Sequence, residues 1–234
     1  MKIITIIPAG GRGLRSGFNT PKQYLKINGK EIIAYCLETF QKNKLINEIV
    51  IAAEPNYFNL IIRLVNKYNL KKVKKIVEGG LTRQKSVFNA LLSVNADKND
   101  LIVVHDAARA LLPDNILNKA LNLAIKEGNA VVCLNAKDTL IKGKNTINEY
   151  LNREEVFYVQ TPQIFRYNVL LRAFENANDK NIEATDESYL VKLLGKKVFI
   201  SEGSIFNFKV TTKDDVVLFK KIVTNYASKL KIKS

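Results

Sequence analysis

The residues best equipped for chemistry concentrate in two stretches. One is PAGGRGLRSGFNTPKQYL, Pro8 to Leu25, which sets Arg12, Arg15 and Lys22 among glycines. The other is VVHDAAR, Val103 to Arg109, where His105, Asp106, Ala107 and Arg109 follow an apolar run. In the first, Gly10, Gly11 and Gly13 lack a Cβ and let backbone N–H groups approach a ligand closely, beside Pro8 and Ala9. Cations at that spacing neutralise phosphate oxygens. The loop meets neither common phosphate fingerprint. It has no terminal Gly-Lys-Ser/Thr, and although Gly11 and Gly13 fit the first two positions of G-x-G-x-x-G, Ser16 stands at the third. A phosphate cradle and an exposed turn with solvated charges both remain open on this pattern.

Asp106, at the end of a strand, suits a Mg²⁺ ion or a substrate hydroxyl. His105 is the chain's one histidine, which excludes a histidine-cluster zinc site. A catalytic base is one reading of it; a structural hydrogen-bonding role beside Asp106 is the one we expect. Further clusters follow. GGLTRQKSV, Gly79–Val87, offers close approach at Gly79 and Gly80 and a hydroxyl at Ser86 in the first turn of a helix. Alone it reads as an ordinary capped helix. Lys137-Asp-Thr139, Arg153, Thr161-Pro-Gln163, Thr185-Asp-Glu-Ser188 and Asn207-Phe-Lys209-Val-Thr211 complete the set, the last read as a strand end.

The elements that must position these residues alternate in type. Apolar runs at Lys2–Ile7, Glu48–Ala52, Lys74–Val77, Leu101–Val104 and Ala130–Leu134 read as strands covered on both faces. Helical periodicity runs over Glu31–Phe40, over Pro113–Lys126 with Gly128 just beyond, and over Lys213–Leu230 behind a capping-box-like Thr212-Lys-Asp-Asp215. Alternation of this kind predicts an α/β fold: a Rossmann-like, doubly wound, mostly parallel sheet. Ligands of such sheets bind beyond the C-terminal ends of the strands, and the clusters fall there. Asp138–Tyr158 breaks the rhythm and reads as a hairpin with Gly143 in its turn. We expect a single domain over 1–234 with this β-arm at about 137–158, packing on another subunit.

Composition bounds the class. The chain has 234 residues, 47% hydrophobic and 25% charged, as in soluble globular proteins. It lacks a secretory pattern or a bilayer-length apolar run, so a cytoplasmic protein with no membrane partner is expected. Cys36 and Cys133 are expected as buried thiols. The net charge of +15 comes from 29 Lys against 8 Arg, and the lysines are scattered. No nucleic-acid-binding motif accompanies them. The reading is a surface that attracts phosphorylated small molecules, with no nucleic-acid partner.

Taken in order, PAGGRGLR, PKQYL, GGLTRQKSV, VHDAAR, DT, the Arg153 region, TPQ, TDES and NFKVT resemble the 2-C-methyl-D-erythritol 4-phosphate cytidylyltransferases of the non-mevalonate isoprenoid pathway. Their relatives, the ribitol-5-phosphate cytidylyltransferases, share the motif order. The likeness covers essentially the whole chain. It implies a fold of the nucleotide-diphospho-sugar transferase type and transfer of CMP from CTP to a polyol phosphate with Mg²⁺ or another divalent cation. CTP would lie over Pro8, Ala9, Gly10, Gly11 and Gly13, with Gly80 and Ser86 nearby. Arg15 and Lys22 would stabilise the pentavalent phosphorus. Lys209 and Arg153 would position the acceptor, with Asp106, Ala107, Arg109, Thr139 and Thr161 as further contacts. The metal would ride mainly on the CTP phosphates, with Asp106 a possible ligand. The resemblance also implies a homodimer whose arms embrace, so that Thr139 and Arg153 serve the partner's site. Ser16, Leu81, Ala110 and Asn135 depart from the family pattern, and none removes a charged position.

Overall fold

The computed structural model describes residues 1–11 and 20–231, with side chains given through 225. Arg12, Gly13, Arg15 and Ser16 therefore lie outside the described residues. The chain opens with β1 (Ile3–Pro8), the two-residue pair β2 (Lys26–Ile27) and β3 (Lys30–Glu31), α1 (Ile32–Lys42) and β4 (Glu48–Ala53). It continues through α2 (Phe58–Lys67), β5 (Val73–Glu78), α3 (Arg83–Ser93), β6 (Leu101–Val104), α4 (Asp114–Glu127) and β7 (Asn129–Asn135). A hairpin follows, β8 (Leu140–Gly143) with β9 (Ile147–Leu151). Then come β10 (Phe157–Arg166), α5 (Tyr167–Asp179), α6 (Glu187–Leu193), β11 (Ile200–Glu202) and α7 (Lys213–Lys231).

Among the described residues, seven strands form one sheet in the order β11-β7-β10-β6-β1-β4-β5. All neighbours run parallel except β10, which lies antiparallel between β6 and β7. The apolar strands are continuous in sequence because each face of the sheet is buried. Ile3 and Ile7 of β1 join one core with Ile49 and Ile51 of β4, under α1, α2, α4 and α7. Ile4 and Ile6 join the other with Val50 and Ala52, under α3, α5 and α6. The helices fit their stripes accordingly: Val87, Ala90 and Leu91 on α3, and Leu170, Ala173, Phe174 and Ala177 on α5, are buried.

Several boundaries follow local chemistry read from the sequence. Gly128 caps α4 at φ 85°, a left-handed turn that a side chain resists, and its N–H closes on the Ala124 carbonyl at 2.8 Å. At α7, Asp215 N–H donates to Thr212 Oγ1 and Thr212 N–H donates to Asp215 Oδ2, a reciprocal box with Asp in place of Glu. Cys36 and Cys133 are buried free thiols.

Two expectations need correction. The hairpin is shorter than 138–158: from Phe157 the chain belongs to β10 and rejoins the central sheet. Gly143 ends a strand, at a register shift, rather than forming the turn. A proline inside β10 hid that strand, since proline gives no ladder donor. Pro162 is tolerated because the register with β7 shifts between Val159 and Gln163. The 207–211 segment is not a strand end either. It leaves a 3₁₀ turn at Ile205–Asn207 and runs extended, outside the sheet, to α7.

β1 has β4 on one side and β6 on the other, so the chain reverses its winding direction between β1 and β6. Loops leaving these two strands diverge and open a crevice at their C-terminal ends. His105 braces that point. It is fully buried, its Nε2–H donates to the Arg109 carbonyl at 2.9 Å, and its Nδ1 accepts from the Thr161 hydroxyl at 3.1 Å. The Thr161 oxygen in turn accepts Asp106 N–H at 3.1 Å. Burial pushes the His105 imidazole down to about 4; the Arg109 carbonyl and the Asp106 charge oppose this, and the charges of Arg109 and Arg83 reinforce it. Because the unfolded imidazole titrates near 6.5, it takes a proton before the folded one does. Stability is full above about pH 6.5 and falls as pH drops toward about 4, by up to about 3 kcal/mol. The single imidazole resonance in a proton NMR titration should move with a midpoint near 4; a midpoint near 6.5 would contradict this brace.

Candidate active site

Two loops from parallel strands meet to form the first half of the site. Ala9 N–H, after β1, donates to the Ala52 carbonyl at 2.7 Å, and Gly79 N–H, after β5, donates to the Ala53 carbonyl at 2.8 Å. Both loops are thereby pinned to the end of β4. Gly10 and Gly79 both face Ser86: a Cβ on either would lie 3.4 or 3.1 Å from the Ser86 hydroxyl. At Gly80 a Cβ would collide with Lys85, so only glycine fits this turn. Ser86 Oγ accepts Gly80 N–H at 3.0 Å and donates to the Thr82 carbonyl at 2.9 Å, so the hydroxyl also builds the turn.

PKQYL supports the same loop from below. Lys22–Tyr24 form a 3₁₀ turn that buries Gln23 and Tyr24. The Gln23 amide donates to the carbonyls of Ala9 and Gly11, at 2.7 and 2.9 Å, and the Tyr24 hydroxyl donates to Ala9 at 3.0 Å. Lys22 is placed at the first position of that turn, partly exposed, beside the glycine loop.

The second half is centred on Asp106. Its side chain is only 9% exposed, and its oxygens are divided among cations. Arg83 Nε donates to Oδ1 at 2.8 Å, and Lys209 Nζ lies 2.8 Å from Oδ2, with Arg109 Nε 3.8 Å from the same oxygen. Burial would raise this carboxyl, but Arg83 and Lys209 together hold it well below the usual carboxylate range. Asp106 therefore stays ionised at any working pH. A cavity of about 350 Å³ opens here, lined among the described residues by Arg83, Asp106, Arg109, Thr161, Asp186 and Lys209, with β10 forming one wall.

Lys209 reaches Asp106 because its segment is stitched to the loop after β6. Asn207 is fully buried; its amide donates to Gln160 Oε1 at 3.0 Å and to the Thr161 carbonyl at 2.7 Å. Arg109 Nη1 donates to the Asn207 carbonyl at 2.8 Å, and Val210 N–H to the Ala108 carbonyl at 2.9 Å. Ala107 is buried inside this loop. Thr139 and Arg153 are exposed on and beside the hairpin, outside the cavity wall, and Arg153 donates to the Lys137 carbonyl at 3.3 Å.

The metal expectation for Asp106 does not fit its surroundings. Both carboxylate oxygens face cationic donors, which oppose a further positive ion. Among the described residues, no group of three or more His, Cys, Asp or Glu side chains could hold a metal. Arg83, Glu187 and Asn207 lie within GGLTRQKSV, TDES and NFKVT, yet nothing in the sequence marks them for a role. Their types alone, an Arg in a turn, a Glu at a helix start and an Asn in a loop, are common on surfaces. Only the fold brings them inside.

This arrangement, cations around an anchored carboxylate beside a glycine turn, suits anionic phosphorylated substrates. A family model described as 2-C-methyl-D-erythritol 4-phosphate cytidylyltransferase matches residues 3–225. Proteins of that name from Clostridium tetani and Clostridium acetobutylicum are each 40% identical to this chain, over 96% and 90% of it and 92% and 93% of their own lengths. The crystal structure of the Francisella tularensis enzyme of that name superposes with a TM-score of 0.78 at 30% identity, covering 94% of this chain and all of its own. The chain belongs to the 2-C-methyl-D-erythritol 4-phosphate cytidylyltransferase family.

Proposed function

We propose that this protein transfers CMP from CTP to 2-C-methyl-D-erythritol 4-phosphate and releases pyrophosphate, a step of isoprenoid precursor synthesis by the non-mevalonate route. The observation that carries the reading is the Asp106 cavity, walled by Arg83, Arg109 and Lys209, beside the meeting point of Gly10, Gly79 and Ser86. An oxygen of the acceptor phosphate attacks the α-phosphorus of CTP. A P–O bond forms there, and the bond to the β-phosphate oxygen breaks, the electron pair leaving with pyrophosphate. A phosphate monoester is already ionised near neutral pH, so no general base is needed. That agrees with His105, whose two nitrogens are committed to Arg109 and Thr161.

The barrier is the approach of one anion to another, and preorganised cations lower it by position and charge. Lys22 and Arg15 serve the transferring phosphorus, Arg15 on the strength of the family pattern. Lys209, aimed by Asp106, and Arg109 serve the acceptor phosphate, with Thr161 and Ala107 shaping that pocket. Pro8, Ala9, Gly10, Gly11, Gly13, Gly80 and Ser86 hold the nucleotide. A divalent cation belongs to the CTP phosphates and not to Asp106. We place the protein in the cytoplasm; no helix among the described residues is long and apolar enough to cross a membrane.

The proposed assembly is a homodimer through the arm, in which Thr139 and Arg153 enter the partner's cavity. Ile141, Ile147 and Tyr150 are exposed on this hairpin, and such apolar side chains favour a covering surface.

Pyrophosphate release with CTP, Mg²⁺ and 2-C-methyl-D-erythritol 4-phosphate tests the reaction directly. Release that is faster with ribitol 5-phosphate would overturn the acceptor, and none with any polyol phosphate would overturn the enzyme reading. Lys22→Ala should lower turnover by about 10²–10³, with CTP affinity falling less; unchanged turnover would refute its part. For the arm, mixing inactive Lys22→Ala and Arg153→Ala chains should restore activity through hybrid dimers. Confirmed hybrids without recovery would refute a site shared between subunits.

A further inference from the structure

The first turn of α6 is built into the wall of the acceptor cavity. Asp186 caps the helix, accepting Tyr189 N–H at 2.9 Å and the Ser188 hydroxyl at 2.7 Å, and Ser188 N–H donates to Gln163 Oε1 of β10 at 2.8 Å. Glu187, 1% exposed, points inward from this fixed turn. It takes Arg83 in a two-pronged grip, Nη1 to Oε1 at 2.7 Å and Nη2 to Oε2 at 3.1 Å. The remaining guanidinium nitrogen, Nε, donates to Asp106 at 2.8 Å. One planar group thus joins two carboxylates, and its orientation is set from both edges.

Stability is a weak reason for such an arrangement. A buried ion pair repays its desolvation poorly, and apolar residues of similar size often serve the fold as well. The far end of this pair, however, lies on the carboxylate that holds Lys209. We infer that Glu187, acting through Arg83, is a positioning residue for the acceptor: it fixes Arg83 on Asp106 Oδ1, leaving Oδ2 to aim the Lys209 ammonium. Without Glu187, the guanidinium is free to turn. It then competes with Lys209 for Asp106, or enters the cavity and holds the acceptor phosphate out of line. This rests on the reading of the cavity as a polyol-phosphate site.

Steady-state rates of the full-length protein with CTP and 2-C-methyl-D-erythritol 4-phosphate test it. Glu187→Gln keeps shape and removes charge. It should lower kcat/KM for the acceptor by about 10- to 100-fold, the range seen when outer partners of a functional ligand are removed. The KM for CTP should stay within about twofold, a split that general loosening of the fold would not produce. Arg83→Lys, which keeps charge but loses the fork, should have at least as large an effect. Adding Glu187→Gln to it should cost little more, because one residue acts through the other. Melting curves identify any variant that does not fold; Glu187→Asp then takes its place, with a loss in the same parameter and an unchanged KM for CTP expected. An active wild type whose folded Glu187 variant keeps acceptor kcat/KM would overturn the inference and leave the reaction standing. So would losses in the two sites that add, or KM values for both substrates that rise together. A wild type that uses no polyol phosphate would overturn both.

Discussion

A buried carboxylate shared between a guanidinium and an ammonium, each at 2.8 Å, is the interaction on which the cavity beside β10 depends. Its members come from the loop after β6, the start of α3 and the segment before α7, which are far apart in sequence. Taking Asp106 out of water is costly, and the cost is recovered only when both cations are in place with good geometry. Removing one partner of such a group typically costs about 3–5 kcal/mol, since a charge is left unpaired. The cations therefore cannot drift singly, and each segment that carries one is held to the others. Around that centre the polar backbone is accounted for as well: Asp106 N–H, the Arg109 carbonyl and the Asn207 carbonyl all have partners.

Charge balance explains why a carboxylate belongs in the proposed phosphate site. Asp106 and Glu187 stand against Arg83, Arg109 and Lys209, and the Asp186 carboxylate also lines the cavity, so the charges are close to balanced before substrate enters. Three unanchored cations would repel each other and sample many positions. The two carboxylates paired with them fix them in place. Preorganisation of this kind matters more than total charge, because no reorganisation is then required as the phosphates close on one another. The chain's overall charge of +15 acts at longer range, where it raises the encounter rate with anions in a salt-dependent way.

How much of this was legible depended on whether the information was local. Strands such as Leu101–Val104 and the α4 boundary at Gly128 announce themselves because apolar continuity and a left-handed cap are local demands. The position of the clusters was legible too, since ligands of a doubly wound sheet gather at strand ends. β10 was not, because Gln160, Thr161, Pro162 and Gln163 spoil its apolar pattern. Gln160, Thr161 and Gln163 are buried for polar duties: Gln160 holds Asn207, Thr161 holds His105, and Gln163 holds the start of α6. Nor were the partners of Asp106 legible. Arg83 and Glu187 meet across 104 residues of chain, and nothing in either neighbourhood encodes the other.

The hairpin extends the same logic beyond one chain. Two short strands paired only with each other are marginal in water, and these carry Ile141, Ile147 and Tyr150 on their surface. A marginal element with exposed apolar residues gains most from a surface that covers it. The residues that family likeness assigns to the acceptor, Thr139 and Arg153, sit at the two feet of this hairpin and outside its own chain's cavity. In the proposed dimer one contact answers both needs: docking buries the arm's apolar side chains and adds Arg153 to a cavity already anchored by Asp106. Assembly would then be coupled to catalysis by the arm's weakness on its own, since an undocked arm loses its fixed shape and the partner's cavity loses a cation.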